Sequence, residues 1–181
     1  DEVGFTDATI SQISARAGLS HGSFYTYFDS KEAALRSAIN EIRHRDLADA
    51  DRSASKGIGR TIRDRIDATN RRFFDTYARN ARLLASFEEL AARDEITADL
   101  RRESRYSYIH RTMCSIQHWQ EEGEIDPELD AEAVAHCLGS MVERVAHMQF
   151  VFGDGCGEER MMQAISHVWV AALGLDEGGR A

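Results

Sequence analysis

The chain has 181 residues, with 31 acidic and 22 basic side chains and a net charge of −9. Hydrophobic residues make up 43% and charged residues 29%, which excludes a disordered or collagen-like chain and suits one domain, or a small module joined to a larger one. No apolar run nears the roughly 18–20 residues of a membrane helix, and three scattered cysteines without CxxC spacing argue against a disulfide framework or a zinc site and for a reducing, cytoplasmic setting.

A single proline, and apolar residues spaced mostly three and four apart, predict an all-α fold. The first helix is expected over residues 9–18, with Ile10, Ile13 and Ala17 on one face and Gly18 as its stop. Ser20 reads as the N-cap of a short second helix ending near Phe28. Asp29 or Ser30 caps a third, with Glu32 in its first turn and Leu35, Ile39 and Ile42 on its buried stripe. The polar stretch 49–59 is the best candidate boundary, so the third helix is expected to end near residue 46. Longer helices should follow over 60–80, 81–93, 95–122 and 130–152, with Gly123 and Pro127 marking a break. Residues 153–157 form a tight loop, and a last helix covers 158–173.

Residues 9–28 carry the chemistry. They read as helix, Gly-containing turn and short helix, the form of a helix-turn-helix whose second helix enters the DNA major groove. Gly18 supplies the unusual backbone angle of the turn, Leu19 can plug the corner, and Phe24 and Phe28, four residues apart, anchor one side of the second helix. Its other side carries Ser20, His21, Gly22, Ser23, Tyr25, Thr26 and Tyr27, all small or able to hydrogen-bond. Lys31 follows in the first turn of the next helix, where backbone N–H groups suit a phosphate. The acidic balance alone argues against nucleic acid, since phosphate contacts need Lys and Arg; this motif overrides it.

The elements Gly4-Phe5, Thr9, Ala17-Gly18-Leu19-Ser20, Gly22-Ser23-Phe24-Tyr25, Tyr27-Phe28 and Ser30-Lys31-Glu32 together resemble the DNA-binding module of the TetR family of bacterial transcriptional regulators. The resemblance covers about the first 45 residues; beyond them only helix pattern and length match. Family members begin with a further helix, of which the tail at residues 1–3 is expected here. The resemblance implies a DNA-binding domain at 1–46 and a helical effector-binding and dimerisation domain at 47–181. It implies that Thr9, Tyr27 and Lys31 touch phosphates and that Ser20, His21, Gly22, Ser23 and Tyr25 lie at or near base edges. The partners it implies are a palindromic double-stranded operator, a small effector and a second copy of the chain. Repression is the family default.

In the larger part, the apolar stripe Val134, Leu138, Met141, Val145, Met148 and Phe152 and the stripe Ile165, Val168, Trp169 and Ala172 suit packing within the chain or against a partner. By the resemblance, Val134, Leu138, Met148, Phe152, Ile165, Val168, Trp169 and Ala172 form the dimer face. Candidate cavity-lining residues are Phe73, Phe74, Tyr77, Leu84, Phe87, Tyr106, Ile109, His110, Met113, Ile116, Trp119, Met141 and Val145, an aromatic and Met-rich set suited to an apolar ligand or to plain core. Arg101, Arg102 and Arg105 suit an anionic ligand or a solvated, ion-paired helix face. An enzyme is disfavoured. Only Glu41–His44 has Glu-x-x-His spacing, and it has no mate. No zinc-protease spacing or phosphate-cradling Gly loop is present, so no metal or cofactor is expected. The alternative is a helix-turn-helix regulator controlled by a protein partner, for which a well-packed larger domain without a cavity would be the sign.

Overall fold

The computed structural model describes residues 4–55 and 61–175. Among them are seven α-helices and no strand: α1 Ile10–Arg16, α2 His21–Tyr27, α3 Lys31–Ser55, α4 Ile62–Ala91, α5 Glu95–Glu121, α6 Ala131–His147 and α7 Glu158–Ala172. A π-helical turn, Met148–Phe152, extends α6.

The starts are set by side chains that satisfy free N–H groups. Thr9 forms a reciprocal capping box with Gln12, and Thr61 forms one with Asp64. Ser20, Ser30, Asp94 and Asp130 cap α2, α3, α5 and α6. Gly18, at φ 70°, turns the chain between α1 and α2 in the left-handed region that an L side chain avoids.

Three expected helix bounds are corrected. Helix α3 runs on to Ser55, so residues 49–55 are helical rather than loop, and 56–60 lie outside the described residues. The physical reason is that no Gly or Pro interrupts the segment before Gly57. The expected break at residues 80–81 does not occur, because α4 contains neither Gly nor Pro and the Asn80 amide bonds back to the Thr76 carbonyl at 2.7 Å. Regular helix ends at His147 rather than Phe152, giving way to the π turn closed by Gly153.

Helices α4 to α7 share the main core, centred on Phe74, Ile116, Val142 and Leu173. A smaller cluster of Leu35, Ile39, Phe87 and Leu90 seats α3 on α4, with Leu100 of α5 against it. Truncating one such side chain to Ala costs about 2–5 kcal/mol. The main core also claims Leu138, Ile165 and Trp169, expected at a partner surface and instead only 4%, 2% and 5% exposed. The most apolar stripe of each helix packs on its own chain because burial there removes the most hydrocarbon from water. In α1 the buried residue is Ser14; Ile10 and Ile13 are half-buried and Ala17 is exposed. Leu19 is likewise exposed rather than plugging the turn.

Candidate functional site

The first site is the face of α2. Phe24 is buried and stacks near Phe28 at 5.5 Å, which fixes the helix on one side. On the other side His21, Gly22, Tyr25 and Tyr27 are exposed, Tyr27 at 69%. The His21 ring meets Tyr25 edge-on at 5.4 Å. A Cβ built on Gly22 would meet nothing nearer than the Ser20 hydroxyl at 3.9 Å, so the backbone there is open to close approach.

Several hydroxyls of this face have local bonds. Ser20 accepts from the Ser23 N–H at 3.1 Å, and the two hydroxyls lie 2.8 Å apart. Thr9 is exposed and holds Gln12 in its capping box. Lys31, expected on a phosphate, points inward: its ammonium donates to the carbonyls of Phe5 at 3.0 Å, Thr6 at 2.9 Å and Ala8 at 3.3 Å and lies over the Phe5 ring. It ties the segment before α1 to α3, and a phosphate would have to compete with these bonds. Arg16 is the only Lys or Arg between residues 4 and 30, so this face relies on hydroxyls and N–H groups more than on charge.

The second site is a cavity of about 730 Å³ bounded by α3, α4, α5, α6 and Trp169 of α7, within the usual range for small-molecule sites. Of the residues expected to line it, Phe73, Tyr77, Leu84, Phe87, Ile109 and Trp119 do so. The rest do not. Phe74 and Ile116 are fully buried in the core, Met113, Met141 and Val145 pack against that core, and Tyr106 and His110 face outward. Helix α5 buries Ile109, Ile116 and Trp119; Tyr106 and His110 lie on its other side because one turn carries only a narrow apolar stripe.

The sequence reading missed Tyr108, Asn70, Thr76, Ser104, Gly139 and Trp169 as cavity wall. The signal that could have found two of them is Gly139 inside α6: a Cβ there would sit 3.1 Å from the Tyr108 ring, so the glycine admits that ring against the helix. Tyr108 in turn packs on Phe73 at 5.3 Å. Burial pushes the Tyr108 phenol up to about 12. Burial, then the Glu143 and Glu88 carboxylates, also raise Tyr77, whose hydroxyl lies 2.9 Å from His147 Nδ1. Both phenols therefore stay protonated at neutral pH. Two wall residues carry buried donors with no hydrogen-bond partner among the described residues, Asn70 Nδ2 and Trp169 Nε1.

The two sites share α3. Ile39, Ile42, Arg43, Asp46 and Leu47 of that helix wall the cavity, and Lys31 at its start holds the segment before α1. Arg36 of α3 pairs with Asp94 at 3.0 Å and reaches Thr97 at 3.3 Å, so the α5 N-cap is bonded to the same helix. The Thr97 hydroxyl and N–H, ahead of Arg36, hold the Asp94 carboxyl below its ordinary value. Among the described residues no helix is long and apolar enough to cross a membrane, and no three His, Cys, Asp or Glu side chains are grouped to hold a metal.

Comparison with known proteins gives the family. Residues 1–38 match the family model of bacterial regulatory proteins, tetR family, and residues 66–174 match that of the transcriptional regulator EthR, C-terminal domain. The chain is 25% identical to the HTH-type transcriptional regulator EthR of Mycobacterium tuberculosis H37Rv, over 92% of this chain and 78% of that protein. It is 30% identical to the HTH-type transcriptional regulator BetI 1 of Chromohalobacter salexigens, over 79% and 69%. The fold resembles a TetR-family transcriptional regulator from Rhodococcus sp. (TM-score 0.76, 19% identity, 93% and 89% covered) and the fatty acid degradation regulator FadR from Bacillus halodurans (0.77, 20%, 95% and 87%). The chain belongs to the TetR family: it is a DNA-binding regulator of transcription, not an enzyme.

Proposed function

We propose that this TetR-family member is a cytoplasmic, homodimeric repressor, released from a palindromic operator by a small apolar or amphipathic molecule held in its cavity. In this reading residues 1–46 bind DNA and 47–181 bind effector and partner, with α3 running from one into the other. Ser20, His21, Gly22, Ser23 and Tyr25 face base edges, Thr9 and Tyr27 face phosphates, and Lys31 acts on DNA binding by holding the segment before α1 in place. The dimer uses what α6, the π turn and α7 leave uncovered: Val134 half-buried, and Met148, Phe152, Val168 and Ala172 exposed. Two recognition helices must meet successive major grooves about 34–36 Å apart, which requires a symmetric pair.

The observation that carries ligand control is the cavity itself, about 730 Å³ with α3 as one wall. It favours a small effector over a regulator switched only by a protein partner. A molecule pressing on Ile39, Ile42 and Leu47 would tilt α3 and with it α2, changing the spacing of the recognition helices. A coupling of about 1–3 kcal/mol would lower operator affinity about 5–150-fold.

The test is a reporter driven by the promoter beside the gene. Deleting the gene should raise transcription, and restoring a Tyr27→Ala copy should leave it raised. A fall in transcription on deletion would make the protein an activator and overturn the repressor reading.

A further inference from the structure

The charge of the cavity wall is opposite to that of the chain. The whole chain is −9, yet its cavity is walled by six arginines, Arg43, Arg65, Arg72, Arg101, Arg105 and Arg111, against three carboxylates, Asp46, Glu88 and Glu143. The carboxylates already have partners. Glu88 accepts from Arg101 at 2.5 Å, Glu143 lies 3.1 Å from Arg105, and Asp46 accepts from the Thr76 hydroxyl at 2.8 Å. Six guanidinium groups against three carboxylates leave the wall positive. Arg65, Arg105 and Arg111 are exposed and Arg43, Arg72 and Arg101 half-buried, so the guanidinium groups belong to the mouth. Phe73, Phe87, Tyr108, Ile109, Trp119 and Trp169 supply the apolar wall. Concentrating cations at one concave site of an acidic protein attracts an anion there and adds bidentate bonds to carboxylate or phosphate oxygens.

Resting on the effector-cavity reading above, we infer that the ligand is an amphipathic anion: an apolar chain lies inside and a carboxylate or phosphate head meets the arginines at the mouth. A fatty acid and a fatty-acyl nucleotide thioester share this chemistry.

The chain has two tryptophans, Trp119 and Trp169, and both wall the cavity, so intrinsic fluorescence follows occupancy without DNA. The experiment titrates the protein with dodecanoate, dodecanoyl-CoA and dodecanol, all below their critical micelle concentrations, with free CoA as the control for the head alone. At least one anion should bind ten-fold or more tightly than dodecanol and should weaken as salt is raised. Whether dodecanoate or dodecanoyl-CoA leads tells a carboxylate head from a phosphate one. An Arg43→Gln, Arg65→Gln double variant should lose most of that advantage while binding dodecanol as before; circular dichroism confirms that it is folded. Dodecanol binding as tightly as both anions, or an advantage untouched in the double variant, would overturn the anionic head and leave the cavity as an apolar site. No fluorescence response to any chain would overturn both this inference and the effector-cavity reading, while DNA binding is measured separately.

Discussion

At the scale of single residues, exposure and hydrogen bonding divide the proposed DNA contacts into two kinds. Tyr27 is largely exposed, whereas Lys31 holds three carbonyls. Tyr27→Ala should therefore weaken binding to all duplexes and leave the melting temperature unchanged. Lys31→Ala should weaken binding and also cost about 1–3 kcal/mol of stability, because three carbonyls lose a charged donor. Thermal melts beside DNA titrations separate the two, and an unchanged melt for Lys31→Ala would refute its tethering role. Tyr25→Ala or Ser23→Ala should instead change the preference among operator variants. Asp94 gives a pH test. Its folded carboxyl lies below its ordinary value, chiefly through Thr97 and then Arg36, so its stabilisation is present above the unfolded value of about 3.9 and is lost as pH falls through the lower folded one. Urea unfolding should find Asp94→Asn less stable than the wild type at pH 7, with the gap narrowing as pH falls below the unfolded value. The helix-turn-helix form was legible in the sequence because its requirements are local: a glycine at the turn, a hydroxyl at each cap, aromatic anchors four apart. The inward turn of Lys31 was not, because its acceptors lie 23 to 26 residues away in the chain.

At the scale of elements, α3 is the part through which cavity and DNA face can communicate. It packs on α4 through Leu35, Ile39, Phe87 and Leu90 and is tied to α5 by Arg36–Asp94. Gly139 offers a way to close the cavity from α6. Gly139→Leu would force the Tyr108 ring, 3.1 Å from the new Cβ, into the open space. That variant should bind operator as the wild type does and respond at least ten-fold less to an effector; a wild-type response would show that this wall does not meet the ligand. The sequence identified most helix starts because caps and first turns are read locally, but it placed a break in the middle of α4 where no breaker stands. It also ranked apolar residues without their phase. The periodicity of α5 is compatible with Tyr106 facing in or out, and only the packing of Ile109, Ile116 and Trp119 decides it.

At the scale of the whole molecule, the proposed partner face was the least legible part. Leu138, Ile165 and Trp169 were candidates for it, and the chain's own core takes them. Beyond its polar first turns, α7 leaves outward Gln163, Ala164, His167, Val168, Ala171 and Ala172, a face whose three alanines permit close helix approach but give little hydropathy signal. Val168→Glu on this surface should turn the dimer into a monomer by analytical ultracentrifugation and reduce operator affinity more than ten-fold, since a lone recognition helix reads one half-site. A dimer that survives the charge would move the interface elsewhere. The central claim, that this acidic chain reads a DNA sequence, is tested most directly by fluorescence anisotropy of labelled duplex from the region flanking its gene, titrated with the protein at several salt concentrations. The account predicts tight binding to a palindromic segment, much weaker binding to a scrambled duplex, and an affinity that falls with salt at a slope of roughly 0.9 per neutralised phosphate. Equal affinity for the segment and its scrambled counterpart, at every salt concentration, would contradict it.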